Sequence, residues 1–495
     1  MEYLGFRPKK PAKKKTPPNA GAKKKHVPGV KIGVYLAGFA ALDVFKKYAF
    51  WPVQDMYRHM VIIGETGAGK TSTAWAVLDG LAKVLTRKAR RGEGLSPQFF
   101  LIDANADRGF ARLFAATMLA NGLGKLAIFP EQRINAWPND WRATYNRLLE
   151  LIPLAEDRSG ASYFADASAI ALELACRLPG KGPPKSTKDL LGRLNYDLLV
   201  SAYEEEELDG VTRELVESMR MRCRRVCGEI GTAFDGKRDL NDLDAAYFGV
   251  DAMVMGHSTV VATRMLISHL AFYLRYEKHP DRPCTILIDE FASLGGEVDI
   301  GTLIEQARKL NVSVILLSQT VAGLGGPTQV KRILHNAGVV IAHRTPEWRE
   351  LESVIGIESV PEMTWRYGEE GETEGEQVKT VKKAIVDRGE LLALPLGHVW
   401  VFKGNEAMLV EVELPSMRHY REFVLPEGEE LFELFAQPVG NRPIDPPQDV
   451  EAPREPDEIM KRRWDHARAT EEGEEAPEFS FLVKELRGET PSAEG

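Results

Sequence analysis

The chain of 495 residues is 44% hydrophobic and 27% charged, with a formal net charge of −8. This composition excludes collagen-like, mucin-like and wholly disordered proteins, and it allows a large buried core. Four cysteines are too few for a disulfide framework, and no apolar run approaches the roughly 18 residues that a membrane span needs. We therefore expect a cytoplasmic protein that contacts the inner face of a membrane only peripherally or through a partner.

The charge is concentrated at the two ends of the chain. Residues 1–30 carry nine Lys/Arg against one acidic residue, whereas residues 426–495 carry 8 Lys/Arg against 19 Asp/Glu. Both segments are rich in proline and lack apolar periodicity, so we predict a basic disordered arm at 1–30 and an acidic flexible tail at 426–495. The arm is suited to nucleic acid or anionic lipid, or only to solubility, and the tail is suited to protein contacts.

Between the ends, short apolar runs alternate with helical patterns, which predicts an α/β fold with a mainly parallel central sheet. Strands are predicted at 59–64, 99–103, 126–130, 285–290, 312–319 and 338–343, with a closing hairpin over 398–414. Between about 140 and 260 apolar residues recur at helical spacing and no strand-like run is found. We predict an all-α domain at 141–255, inserted into a discontinuous sheet domain formed by 31–140 and 256–425.

The strongest motif is a P-loop that stands between a predicted strand and a predicted helix. It consists of Gly64, Glu65, Thr66, Gly67, Ala68, Gly69, Lys70 and Thr71. In such a loop the main-chain amides and the start of the helix surround the phosphates of a nucleotide. We predict that Lys70 contacts the β- and γ-phosphates and that Thr71 ligates Mg²⁺. The sequence contains no Asn-Lys-x-Asp segment for reading guanine, so ATP is the favoured nucleotide.

Polar residues end two further predicted strands, at the edge where α/β sheets bind ligands. Asp289 is predicted to complete the Mg²⁺ site, and Glu290 to polarise the attacking water. Gln319 follows the next strand and is predicted to sense the γ-phosphate, with a plain strand-end turn as the alternative.

Four segments in this order resemble the conjugative type IV coupling proteins of the FtsK/HerA group. They are HMVIIGETGAGKT, LIDEFASLG, EQARKLNVSVILLSQT and HNAGVVIAHRT. The resemblance covers about residues 31–415. It implies a RecA-like P-loop domain and ATP hydrolysis coupled to DNA translocation by a hexameric homo-oligomer, with DNA in the lumen of the ring. Relaxase or secretion-channel proteins are the implied partners.

The resemblance also implies a role for Arg308. Members of the family carry an arginine eighteen positions after the glutamate of the acidic pair and eleven before the sensor glutamine, and Arg308 has both spacings to Glu290 and Gln319. It is therefore expected to be an arginine finger that reaches the nucleotide of the adjacent subunit. Arg344 is a second candidate for such a role.

Two features depart from the family pattern. Family members commonly begin with two membrane-spanning helices, and the 63 residues before Gly64 contain no such span. Asp103 is followed by Ala-Asn-Ala-Asp instead of the usual Pro-Lys-Gly-type sequence, so the resemblance assigns no role to that loop. Two other functions stay open: a HerA-like motor of DNA repair or of a phage, and a nucleotide-gated adaptor that presents protein substrates to a secretion channel.

Overall fold

The computed structural model describes residues 29–38, 48–52, 59–152, 161–230, 233–250, 257–294, 300–367, 373–404 and 406–415. The basic arm, apart from its last two residues, and the acidic tail lie outside the described residues. What the sequence predicts for them stays a prediction.

The centre of the molecule is one sheet of eleven strands, and two further strands form a separate hairpin. In chain order the strands are β1 (Gly29–Gly38), β2 (Tyr48–Pro52), β3 (Met60–Ile63), β4 (Gln98–Asp103), β5 (Leu126–Phe129), β6 (Ala245–Gly249), β7 (Cys284–Asp289), β8 (Val312–Ser318), β9 (Val339–Ala342), β10 (Ile357–Tyr367), β11 (Thr373–Ala384), β12 (His398–Lys403) and β13 (Glu406–Val412). The large sheet has the order β2-β1-β13-β12-β9-β3-β8-β7-β4-β6-β5, and among the described residues β10 pairs with β11 alone.

The strands from β9 to β5 run parallel, whereas β12, β13, β1 and β2 are joined to them by antiparallel pairs. Every residue of β3, β4, β7 and β8 is buried. A parallel strand covered on both faces carries mostly apolar side chains on both, which explains the near-continuous apolar runs of the sequence.

Helices cover both faces of the sheet. They are α1 (Lys70–Arg90), α2 (Arg108–Ala120), α3 (Trp141–Leu151), α4 (Ala161–Cys176), α5 (Thr187–Arg193), α6 (Tyr196–Ala202), α7 (Arg213–Ile230), α8 (His257–Phe272), α9 (Ile300–Ala307), α10 (Pro327–Asn336), α11 (Trp348–Ile355) and α12 (Arg388–Leu392). The sheet therefore has a hydrophobic core on each face, and alternate residues of β3 contribute to the two cores. Met60 and Ile62 pack with residues of α1 and α2, whereas Val61 and Ile63 belong to the core shared with α3 and α8. None of the described helices is both long and apolar enough for a membrane crossing.

The predicted α/β class is confirmed, and so are the six predicted strands and the closing hairpin β12–β13. The expectation of no strand between 140 and 260 was wrong, because β6 lies in the sheet between β4 and β5. Its sequence AAYFG begins with two alanines and ends in glycine, so it lacks the bulky aliphatic residues of the other buried runs. The division into domains stays a prediction.

A buried histidine on α8 makes stability depend on pH. His269 is 4% exposed, and neither of its ring nitrogens has a hydrogen-bond partner among the described residues. Burial, with a smaller effect of Arg147, holds the pKa of His269 well below its ordinary value. Below about pH 6.5 the unfolded chain therefore takes up a proton that the folded protein does not, and the free energy of unfolding falls.

We expect His269→Phe to remove this loss. Relative to wild type, its free energy of unfolding should rise by up to about 1.4 kcal/mol for each pH unit below about pH 6.5. Urea unfolding at three pH values measures the difference. His335, which is exposed on α10, provides the control variant His335→Gln, and equal pH dependence of the two variants would contradict the assignment.

Candidate nucleotide site

The P-loop connects β3 to α1 at the edge where the parallel strands end. Gly67 and Gly69 have φ values of 74° and 97°, a left-handed conformation that side chains with a Cβ rarely adopt. Gly69 directly precedes the first residue of α1, Lys70. The two glycines therefore allow the tight turn that brings main-chain amides and the helix N-terminus to one point.

Lys70 points its ammonium group into this loop. Its Nζ donates hydrogen bonds to the carbonyl oxygens of Gly64 at 2.7 Å and Glu65 at 2.9 Å. Burial lowers the pKa of Lys70, and the carboxylates of Glu290, Asp289 and Glu65 oppose that shift. The loop thus encloses a positive charge next to an acidic pair, as phosphate binding and metal binding at one point require.

Asp289 and Thr71 come together from positions 218 residues apart. The Oγ1 of Thr71 lies 3.5 Å from Oδ2 of Asp289, and the main-chain N–H of Glu290 donates to the other carboxylate oxygen at 2.9 Å. Burial, and next the charge of Asp103, raise the pKa of Asp289 to about 7.

These two oxygens fit a magnesium ion. A hydroxyl and a carboxylate are hard oxygen donors of the kind that the ion prefers, either as direct ligands or through a bound water. The Glu290 main-chain N–H and the charge of Lys70 only partly offset the effect of burial on the pKa of Asp289, and a cation at this point would favour the charged carboxylate further.

Glu290 and Gln319 contact each other directly. The amide Nε2 of Gln319 donates to Oε1 of Glu290 at 2.9 Å, a contact that follows from the pairing of β7 with β8. Glu290 has a φ of 49°, which is uncommon for a residue other than glycine. Sequence reasoning predicted both residues for the site and the structure brings them together, while their catalytic roles stay predictions.

The segment after Gln319 is anchored from two sides. The hydroxyl of Ser318 donates to the carbonyl of Thr320 at 2.7 Å, and the main-chain N–H of Val321 donates to the carboxylate of Glu347 beside α11. These bonds fix the main chain on both sides of Gln319, so its amide is presented to Glu290 from a rigid turn.

The two candidate arginine fingers, Arg308 and Arg344, lie at opposite ends of the parallel strands. Arg308 begins the short turn between α9 and β8, whereas the nucleotide edge lies at the other end of β8. That strand has seven residues, which is about 20 Å, so the main chain of Arg308 lies about one strand length from that edge. Arg344 instead lies beside its own P-loop, where its Nε is 3.2 Å from Oε2 of Glu65.

Sequence reasoning assigned no role to three residues beside the site. Asp103 is the register partner of Asp289, is buried, and accepts hydrogen bonds from the hydroxyl of Tyr247 at 2.5 Å and from two main-chain amides. Burial raises its pKa. Tyr247 belongs to β6, which the sequence did not reveal. His343 packs against the P-loop, and its only sequence signal was its place in the last of the four resembling segments.

No protein-family model and no curated protein sequence matches the chain. Solved structures do match. The bacterial conjugative coupling protein TrwBΔN70 in an unbound form has a TM-score of 0.52 and 15% identity, over 74% of this chain and 87% of that chain. TrwB in complex with ADP and Mg²⁺ has a TM-score of 0.50 and 16% identity, over 78% and 94%. VirB4 of Thermoanaerobacter pseudethanolicus has a TM-score of 0.50 and 15% identity, over 79% and 98%. The resemblance seen in the sequence is thereby confirmed at the level of the fold, and this chain has a RecA-like α/β fold in common with TrwB and VirB4.

Proposed function

We propose that this protein is an ATPase of the coupling-protein type, which couples ATP hydrolysis to the movement of DNA in conjugation or a related transfer. The observation that carries the proposal is the set of contacts at one sheet edge. Lys70 lies inside the P-loop, Thr71 meets Asp289, and Gln319 meets Glu290. The shared fold with TrwB, which was solved with ADP and Mg²⁺, supports the same nucleotide and ion here.

Each residue of the site has a separate task in this proposal. The P-loop amides and Lys70 hold the β- and γ-phosphates, while Thr71 and Asp289 hold Mg²⁺, Asp289 through a water molecule. Bound Mg²⁺ neutralises charge that develops on the phosphates. Glu290 accepts the proton of the attacking water, and Gln319 orients Glu290 and reports whether a γ-phosphate is present.

We further propose that the protein works as a ring of six copies with DNA in its lumen. The region 31–425 carries a net charge of −5, so DNA contact depends on local positive charge instead of a globally basic face. Arg220 and Arg224 are exposed on α7, each directly after a buried residue, Met219 and Cys223. These arginines and the basic arm are the proposed sources of that charge. The proposed partner is a relaxase or a secretion-channel protein, in the cytoplasm or at the membrane.

Arg308 allows a direct test of the ring. Because it is about one strand length from its own P-loop, we expect it to complete the site of a neighbour. Arg308→Ala should lower kcat about a thousand-fold with ATP binding retained, and Lys309→Ala, which changes an exposed neighbour, should not. Mixing Arg308→Ala chains with inactive Lys70→Ala chains should restore part of the phosphate release, since the second supplies the arginine that the first lacks. Normal ATP hydrolysis by the Arg308→Ala protein would show that Arg308 is not an arginine finger.

A separate experiment tests whether the protein moves along DNA. The purified protein, given ATP and a duplex that carries a bound streptavidin, should displace the streptavidin, and Glu290→Gln should not. Failure of the wild-type protein to displace it, with ATP hydrolysis intact, would favour an adaptor that presents protein substrates.

A further inference from the structure

The side chain of His343 packs against the first and last glycines of the P-loop. This residue directly follows β9, the parallel neighbour of β3, and its main-chain N–H donates to the carbonyl of Ile63 at 2.8 Å. Only 1% of the residue is exposed. His343 is therefore fixed to the last residue of the strand that leads into the loop.

Both ends of the loop pack against this side chain. A Cβ added at Gly64 would lie 2.5 Å from the Cβ of His343, and a Cβ at Gly69 would lie 3.5 Å from its Cε1. The first distance is shorter than any ordinary contact. His343 therefore occupies the space beneath the turn, and Gly64 is needed there because of the close approach.

His343 also shares a hydrogen bond with a residue in the first turn of α1. The Nε2 of His343 is 3.1 Å from Oγ1 of Thr73, and the main-chain N–H of Thr73 donates to the carbonyl of Gly69 at 3.0 Å. Thr73 is itself 1% exposed. Burial lowers the pKa of His343 to about 3, so the ring is neutral at working pH and offers one donor and one acceptor.

We propose that His343 is a positioning residue for the nucleotide phosphates, which acts through Thr73 and the P-loop glycines. It holds the turn and the first helical residues in the shape that directs their amides at the phosphates. The inference rests on the proposed nucleotide site and adds to it a residue from β9, on the side of β3 opposite the acidic pair. Because it acts on the loop and not on the attacking water, His343 sets nucleotide affinity and leaves the hydrolysis step unchanged.

The test separates the hydrogen bond from the packing. His343→Leu removes both ring nitrogens and leaves the hydroxyl of Thr73 without this partner, whereas His343→Gln can keep a polar atom at the position of Nε2. We expect the Kd for ADP and the KM for ATP to rise about ten-fold in His343→Leu, with kcat within about two-fold of wild type, and we expect His343→Gln to restore most of the loss. Equilibrium titration with ADP and steady-state phosphate release measure these quantities.

Thr73→Val removes the other partner of the same bond. It should raise the Kd for ADP as His343→Leu does, and the double variant should be no weaker than either single variant. His335→Leu, at an exposed histidine on α10, is the control and should bind ADP like wild type. If His343→Leu does not fold, as thermal unfolding would show, His343→Gln and Thr73→Val still decide the matter: weakened binding only in Thr73→Val supports the bond, and unchanged binding in both overturns it.

The outcomes distinguish this inference from the proposed function. If wild type binds no nucleotide, the proposed function fails. If wild type binds ADP, Lys70→Ala does not, and His343→Leu matches wild type, only the positioning role is overturned. A fall of kcat with an unchanged KM in His343→Leu would also overturn it.

Discussion

Lys70→Ala should weaken ATP binding strongly and abolish turnover while the fold remains intact. The ammonium group is the positive charge enclosed by the loop, and it is held there by the carbonyls of Gly64 and Glu65. A hydrogen bond to a charged group is worth about 1.5–3 kcal/mol, so the affinity for ATP should fall roughly ten- to a hundred-fold from this contact alone. Turnover should fall further because the same charge stabilises the transition state.

Stability gives the control for this variant. Burial already disfavours the charged form of Lys70, so removing the side chain should change the midpoint of thermal unfolding by only a few degrees. Lys331→Ala, at an exposed lysine of α10, should keep both ATP binding and hydrolysis. Equilibrium titration with ATP and phosphate release decide the outcome, and normal ATP affinity in Lys70→Ala would exclude the P-loop as the binding site.

Glu290→Gln should stop hydrolysis and keep ATP bound. General base catalysis contributes about a hundred- to ten-thousand-fold, and an amide cannot take the proton from water. A glutamine at this position still has an oxygen that can accept the hydrogen bond from Nε2 of Gln319, now 2.9 Å from Oε1 of Glu290. The geometry of the site should therefore survive while its base is lost.

Phosphate release and nucleotide binding should separate in this variant. We expect hydrolysis to fall at least about a hundred-fold and the Kd for ATP to stay near that of wild type. Glu352→Gln, at an exposed glutamate of α11, is the matched control. Turnover that remains within a few-fold of wild type would mean that another group activates the water.

The parts of the site that the sequence predicts are those built from local motifs. The P-loop and the acidic pair are each an unbroken stretch of sequence, and the neighbouring predicted strand or helix indicates what each one does. Glu290 and Gln319 end strands that are consecutive in the chain, and consecutive strands are often neighbours in a sheet, as β7 and β8 are here.

The other contacts, between residues that are far apart in the chain, could not be predicted from the sequence. Tyr247 reaches Asp103 across 144 positions, and His343 reaches Thr73 across 270. Such contacts depend on the order of strands in the sheet, which the apolar pattern does not specify. The hairpin β10–β11 is likewise hidden, since Glu358 pairs with Lys383 and Glu362 with Lys379, and charged cross-strand pairs give no apolar run.

The central claim is that ATP hydrolysis by this protein serves DNA, and the rate of ATP hydrolysis with and without duplex DNA tests it most directly. DNA should stimulate phosphate release several-fold in wild type, and high salt should remove the stimulation because it depends on phosphate contacts. Lys70→Ala and Glu290→Gln should show no activity in either condition. An active wild-type protein whose rate is the same with and without DNA at low salt would contradict the account.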